Sequence, residues 1–338
     1  MLRTLTLALL LAVAGCDRLV DRQITRNLTR VDRAILTSPD LHVVLCGTGS
    51  PLPDAERAGA CTAVIAGGRI YLVDVGPGAW ERVDLANLPT DAVGAVLLTH
   101  FHSDHIGDLG ETITQSWIAG RTQPLDVYGP VGTARVVDGF RQAYAQDAAY
   151  RVVHHGADAL PPAGGTAAAH EVALPDGTDA AVVLERDGLR ITMFRVDHTP
   201  VEPAVGYRFD YHGRAVVVSG DTAKSPNLAR HAKGADLLVH EALQPELVLR
   251  AAALAEQLQQ PRLAKLARDI PSYHTTPAEA VEIARGAGVD HLVLTHLVPG
   301  PPNAIARRLF LAGIPSDYPG KITLGEDGMR FQLAARPE

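Results

Sequence analysis

The chain has 338 residues, of which 46% are hydrophobic, enough to bury one large core. Its 31 Lys and Arg against 38 Asp and Glu give a formal charge of -7, and only 5% of residues are aromatic. That balance argues against a broadly basic face of the kind that grips nucleic acid.

Met1-Leu2-Arg3 makes a short positive start, and Leu5 to Ala14 is almost wholly apolar. This run is shorter than the roughly 20 residues a spanning helix needs, and it suits the apolar part of an export signal. Residues 17–40 are charged, contain threonines and end at Ser38-Pro39-Asp40, which reads as a tether or short helix. Cys46 sits on the first strand-like run and Cys61 opens the second. If those strands pair across the loop 48–60 the two thiols come close. A disulfide in an oxidising compartment and two buried free thiols both fit. Tyr71-Leu72-Val73 then leads to Asp74, which is either a partner for a metal-ligating histidine or a plain turn aspartate.

The apolar run Ala95 to Thr99 delivers His100-Phe101-His102-Ser103-Asp104-His105, three imidazoles and one carboxylate in six residues. A metal takes about four protein ligands. This turn can give two to one ion and two to a neighbour, the local logic of a two-metal hydrolase. Val136, Val137, Phe140 and Tyr144 form a helical stripe within 131–149. Residues 156–180, rich in Gly, Pro, Ala and Asp, read as a long irregular insertion, either a lid or poorly ordered. Leu189 to Asp197 leads into His198, Ala215 to Gly220 into Asp221, and Leu292 to Thr295 into His296. Strands that end in ligand-type residues imply one shared crevice beyond the strand ends. His240-Glu241 follows another strand and suits a supporting role beside the site. Residues 246–268 read as a helical insertion broken at Pro261, either a roof over the site or a plain helix. In Tyr273 to Ala280, Thr276 reads as an N-cap, Pro277 as the first helical residue and Glu279 as the return partner of a capping box, with Gly286 or Gly288 closing the helix. His42, His154, His155, His170, His212, His231 and His291 match no ligand position.

From about residue 41 onward the chain resembles the metallo-β-lactamase superfamily. The His-x-His-x-Asp-His motif is complete over 100–105, and His198, Asp221 and His296 follow in the family's order. Leu45 to Ser50 and Tyr71 to Gly78 look like its two opening landmarks. The resemblance implies an α/β fold, an αββα sandwich of two mixed β-sheets flanked by helices. It implies two metal ions, Zn²⁺ with Mn²⁺ or Fe as substitutes. His100, His102 and His198 would hold the first, Asp104, His105 and His296 the second, and Asp221 would bridge them. A hydroxide between the ions would be the nucleophile. Asp104 and His274 would be the catalytic residues, His274 as proton donor or transition-state stabiliser.

Within the superfamily, His274-Thr275-Thr276 is similar to the tRNA 3′-processing endonucleases of the ribonuclease Z type. Gly47 to Asp54, Arg57-Ala58-Gly59 and Leu294 to Pro299 resemble a secreted arylsulfatase-like or phosphodiesterase-like branch. The nucleases carry a Ser-x-Arg-Tyr segment after the last histidine and a long arm, usually between the residues matching His198 and Asp221. The segment is absent here, and residues 199–220 leave no room for the arm. Val13-Ala14-Gly15-Cys16 looks like a bacterial lipobox, which implies a signal peptide over 1–15, lipidation at Cys16, a tether over 16–40 and the hydrolase over 41–338. Asp17 resembles an inner-membrane retention signal, which places the enzyme on the periplasmic face. The expectation is therefore a membrane-anchored binuclear hydrolase acting on a small-molecule phosphodiester or aryl sulfate ester, with nucleic acid disfavoured as a partner and a homodimer left open. The alternatives are the tRNA 3′-processing endoribonuclease and, in another class, a noncatalytic metal-binding lipoprotein.

Overall fold

A strand that is apolar at every position must be covered on both faces. In the computed structural model, which describes residues 17–336, β1 (Leu41–Gly47) is covered in this way over its apolar run Val43-Val44-Leu45-Cys46. Val43 and Leu45 enter one core, and Val44 and Cys46 enter another. It is followed by β2 (Cys61–Ala66), β3 (Arg69–Val73), β4 (Val93–Leu97), β5 (Leu125–Pro130) and β6 (Ala167–Val172). With the late strand β14 (Arg330–Leu333) these form a seven-stranded sheet in the order β14-β1-β2-β3-β4-β5-β6. The second sheet holds β7 (Ala180–Arg186), β8 (Leu189–Arg195), β9 (Val205–Tyr211), β10 (Arg214–Val218), β11 (Leu237–Leu243), β12 (His291–Val298) and β13 (Lys321–Leu324). Its order is β13-β12-β11-β10-β9-β8-β7. Each sheet is parallel over one half and antiparallel over the other, β3 to β6 in the first and β10 to β13 in the second being parallel.

The sheets face each other across a core that includes Leu45, Tyr71, Leu97, Ile191, Tyr207, Phe209 and Val239. Helices cover the outer faces: Leu109, Ile113 and Val137 seal the first sheet, and Leu228, Ala280, Val281, Ala284 and Phe310 the second. This is the expected αββα sandwich. The helix Thr133–His155 docks through Val137, with Val136 and Phe140 packed against the same core, as its stripe requires.

Two expectations need correction or refinement. Residues 156–180 are not a long irregular insertion. They contain the 3-10 turn Pro162–Gly165 and β6, which pairs in parallel with β5. Gly164 sits so close to Trp117 that a Cβ there would lie 2.3 Å from the indole. The strand was hidden because Ala167-Ala168-Ala169 carries little apolar signal on an edge. The stretch 17–40 contains a helical run over 17–28 and the 3-10 turn Arg33–Leu36, whose Ile35 is buried in the first-sheet core. Arg30 pairs with Asp84, and Arg33 with Asp91 at 2.8 Å, so the docked body begins about ten residues before β1. The signal segment 1–15 and the lipidation expected at Cys16 lie outside the described residues. Among the described residues no helix is long and apolar enough to cross a membrane.

Candidate metal centre

β1 and β2 pair antiparallel, with a register shift between Leu45 and Gly47, and Cys46 at that shift forms a disulfide with Cys61. This hairpin braces the ligand-rich turn. Ala60 N–H donates to the Asp104 carbonyl at 3.1 Å, and Val75 N–H to the His105 carbonyl at 2.8 Å. Gly76 is required there, since a Cβ would fall 2.0 Å from the Asp104 carbonyl oxygen. Ser103–Ile106 forms one helical turn, so the motif curls back under the end of β4.

The ligand-type residues converge. The ligand atoms of His100, His102, His198 and Asp221 lie within 4.8 Å of one another, as do those of Asp104, His105 and His296, and those of Asp221, His274 and His296. Asp221 Oδ2 is the hub, 3.3 Å from His105 Nε2, 3.4 Å from His296 Nε2, and 3.9 Å from both His100 Nε2 and His198 Nε2. Asp104 Oδ2 lies 3.1 Å from His296 Nε2 and 3.6 Å from His105 Nε2. All seven expected positions therefore face one crevice. His296 arrives differently from the sequence expectation. It does not follow a strand end but sits inside β12, at a register shift with β11 and with φ 45°, so a bulge aims the ring into the crevice.

Supporting hydrogen bonds fix which nitrogen each ring presents. His105 Nδ1–H donates to Asp74 Oδ2 at 2.8 Å, which turns Nε2 toward Asp221. Asp74 is thus the partner of a site histidine rather than a plain turn residue. Thr99 Oγ1 also donates to Asp74 Oδ2, at 2.7 Å, so it must accept from His100 Nδ1 at 3.1 Å. That leaves the His100 Nε2 lone pair facing His102 Nδ1 at 3.0 Å. His198 Nδ1–H donates to the Tyr273 carbonyl at 2.9 Å. His105 Nε2, His198 Nε2 and Asp221 Oδ1 are buried and have no hydrogen-bond partner among the described residues. Buried polar atoms are rarely left bare. Inward-facing nitrogens and a shared carboxylate oxygen are the donor set of a cation site, and imidazoles with one or two carboxylates suit zinc-like ions. The residues fit a metal.

Charge in the crevice follows from the same packing. Burial drives His100 well below the usual histidine range, with His105 pushing the same way, which favours the neutral ring a metal needs. For Asp221 burial favours the neutral acid, yet His296 and His105 outweigh it and hold the carboxyl well below its ordinary value.

Glu241 ties the donor side together. Its Oε1 accepts from His274 Nδ1 at 3.0 Å, from Thr275 N–H at 3.0 Å and from Thr222 N–H at 3.2 Å. Burial opposes a charge on His274, but the Glu241 carboxylate and its hydrogen bond prevail and raise the imidazole to about 9. His240, its neighbour, is buried, and its Nδ1 bonds the Glu241 carbonyl at 2.7 Å. Thr99 and Thr222 carried no signal of their own in the sequence, because threonine is common in strands and turns, and Thr275 stood out only within the His274-Thr275-Thr276 segment. The segment behind His274 folds as expected. Thr276 and Glu279 form a reciprocal capping box, Pro277 opens the helix Pro277–Ala287, and Gly288, at φ 68°, closes it.

Comparison with known proteins gives the chain's family. A family model described as the Beta-lactamase superfamily domain matches residues 69–297. Ribonuclease Z of Mycobacterium marinum is 38% identical over 301 residues, covering 88% of this chain and 100% of that protein. Ribonuclease Z of Mycolicibacterium gilvum is 40% identical over 262 residues, covering 77% of this chain and 85% of that one. The crystal structure of the short form of human tRNase Z superposes with a TM-score of 0.61 at 20% identity, covering 86% of this chain and 99% of that chain. The metallo-β-lactamase fold protein YhfI from Bacillus subtilis gives 0.59 at 19% identity, covering 87% and 99%. The solved structures bear on the fold alone.

The ribonuclease Z relatives overturn the expectation that nucleic acid is disfavoured as a partner. That expectation rested on the missing Ser-x-Arg-Tyr segment and arm, on the export signal and, secondarily, on a chain-wide charge of -7. A total does not set the local field, because cations held in a crevice add positive charge where a phosphate would sit. The same relatives lend no support to the aryl sulfate part of the substrate expectation.

Proposed function

The chain belongs to the metallo-β-lactamase superfamily, among relatives of ribonuclease Z, and from that premise we propose that it is a metal-dependent phosphodiesterase that cuts RNA. The observation that carries the proposal is the convergence of four imidazole nitrogens on Asp221 Oδ2, with His274 beside them. His100, His102 and His198 would hold one ion, Asp104, His105 and His296 the other, and Asp221 would serve both. Bound there, divalent cations supply Lewis acidity, lowering the pKa of water and offsetting charge on phosphoryl oxygens. The protein's own groups do the rest. Asp104 would take the proton that the attacking water gives up. His274, held by Glu241 in its protonated form, would deliver a proton to the departing oxygen as the P–O bond breaks. Asp74 and the Tyr273 carbonyl keep His105 and His198 turned inward throughout.

A compact phosphodiester is a second reading, favoured by one observation. Only residues 199–220 separate His198 from Asp221, and β9 and β10 occupy most of them, so no gripping arm arises there. An exported location belongs to this second reading, since an exported protein does not meet tRNA precursors where they are made; the Cys46–Cys61 disulfide and the apolar run Leu5 to Ala14 support it.

The test is cleavage of a 3′-extended tRNA precursor, bis-p-nitrophenyl phosphate and p-nitrophenyl sulfate, with and without Zn²⁺ or Mn²⁺, beside Asp104→Ala. The proposal expects metal-dependent cleavage of the RNA by the wild type and loss in the variant. Equal rates for the two proteins on every phosphodiester would refute it.

A further inference from the structure

Tyr273 ends the single turn Ile270–Tyr273 and stands directly before His274. Its ring centroid lies 4.8 Å from the His198 ring, edge-on at 81°, and 4.8 Å from the His274 ring. Among the described residues no other Phe, Tyr or Trp makes ring contact with an imidazole of the centre. The ring remains part-exposed. Tyr207 shows what a structural tyrosine looks like in this fold: fully buried, with its hydroxyl donating to the Leu98 carbonyl at 2.7 Å.

The position is rigid. The helices Pro245–Gln257 and Pro261–Asp269 lead into Tyr273, and they are pinned to β11 and β12 by Leu243, Val248 and Val298, with Ala267 and Ile270 packed against that cluster. The Tyr273 carbonyl accepts from His198, and the Thr275 hydroxyl donates to the Thr222 carbonyl at 2.5 Å. A ring held this way loses little freedom when a ligand settles on it.

We propose that Tyr273 is a positioning residue that stacks on the nucleobase beside the phosphodiester, an inference that rests on the RNA reading above. The ring abuts both a residue assigned to a metal and the residue assigned to the departing oxygen. A group esterified to a phosphorus held between them therefore passes within its reach. Every base presents a π face, so one aromatic ring can order an RNA end without reading its sequence. It also supplies affinity that a chain without a gripping arm in 199–220 must find elsewhere.

The experiment is equilibrium binding of uridine 5′-monophosphate and of ribose 5-phosphate to the zinc-loaded full chain, as wild type, Tyr273→Phe and Tyr273→Ala. The wild type and Tyr273→Phe are expected to prefer the nucleotide by about 10-fold, the scale of one base–aromatic stack. In Tyr273→Ala the preference should collapse toward one while ribose 5-phosphate binding is kept. A wild type without base preference overturns the proposal, as does a preference that survives in Tyr273→Ala. Equal loss of both ligands in Tyr273→Ala also overturns it, since that marks a ring that only props His198. Binding needs no turnover. A base preference in a wild type that cuts no RNA would sustain this proposal and sink the nuclease reading.

Discussion

His105 donates from Nδ1 to Asp74 Oδ2 at 2.8 Å, while its Nε2 stands 3.3 Å from Asp221 Oδ2. One buried carboxylate thus orients the ring that faces another. Asp74 also accepts from Thr99 N–H and from its hydroxyl, so it sets His100 as well, through Thr99. Asp74→Ala should weaken zinc binding by about 10- to 100-fold, the usual cost of losing such a partner. Competition against a chromogenic chelator measures it, and unchanged affinity would remove Asp74 from the scheme.

Glu241 should act on rate through His274. His274 has a raised pKa, to about 9, so its protonated form and the charge pairing with Glu241 persist below that value and are lost as pH rises through it. Glu241→Gln should lower kcat and move the alkaline limb of the pH–kcat profile toward lower pH. His274→Ala should cost about 10²-fold or more in kcat, as for a missing general acid. An alkaline limb that stays in place in Glu241→Gln would contradict the link.

Gly76 is the seat of the motif. Gly76→Ala puts a methyl 2.0 Å from the Asp104 carbonyl oxygen and 2.6 Å from the Gly59 carbonyl carbon, both backbone. Neither atom can swing aside as a side chain can. The variant should lose about 1–3 kcal/mol of stability and most of its activity, read from denaturant midpoints and metal-loaded kcat.

The Cys46–Cys61 bridge closes a loop with a sequence separation of 15. Loop-closure entropy for that length is about 3 kcal/mol. Replacing both cysteines by serine should lower the unfolding free energy by about that amount, and dithiothreitol should destabilise the wild type but not the double variant.

How much the sequence disclosed depended on whether the signal was local. His100 to His105 is a cluster of side chains adjacent in sequence, and the capping box from Thr276 to Glu279 spans four residues, so both could be read directly. The two-sided burial of Val43 to Cys46 in β1 fits their unbroken apolar run. What escaped depends on distant pairing. The bulge that aims His296 exists only because β11 and β12 shift register beside it. The supporting role of His240-Glu241 was legible, but not that both lie inside β11 or that Glu241 is the one that meets His274, 33 residues later. β6 earns its place from β5 rather than from its own alanines. The expectation that nucleic acid is disfavoured drew in part on a sum of charges, which has no position.

The most direct measurement is the initial rate of cleavage of a 3′-extended tRNA precursor as zinc is added back, equivalent by equivalent, to metal-stripped protein. The account predicts a rate that climbs until two ions are bound per chain and then levels off. A rate indifferent to zinc, or complete activity with the metal stripped away, would contradict it.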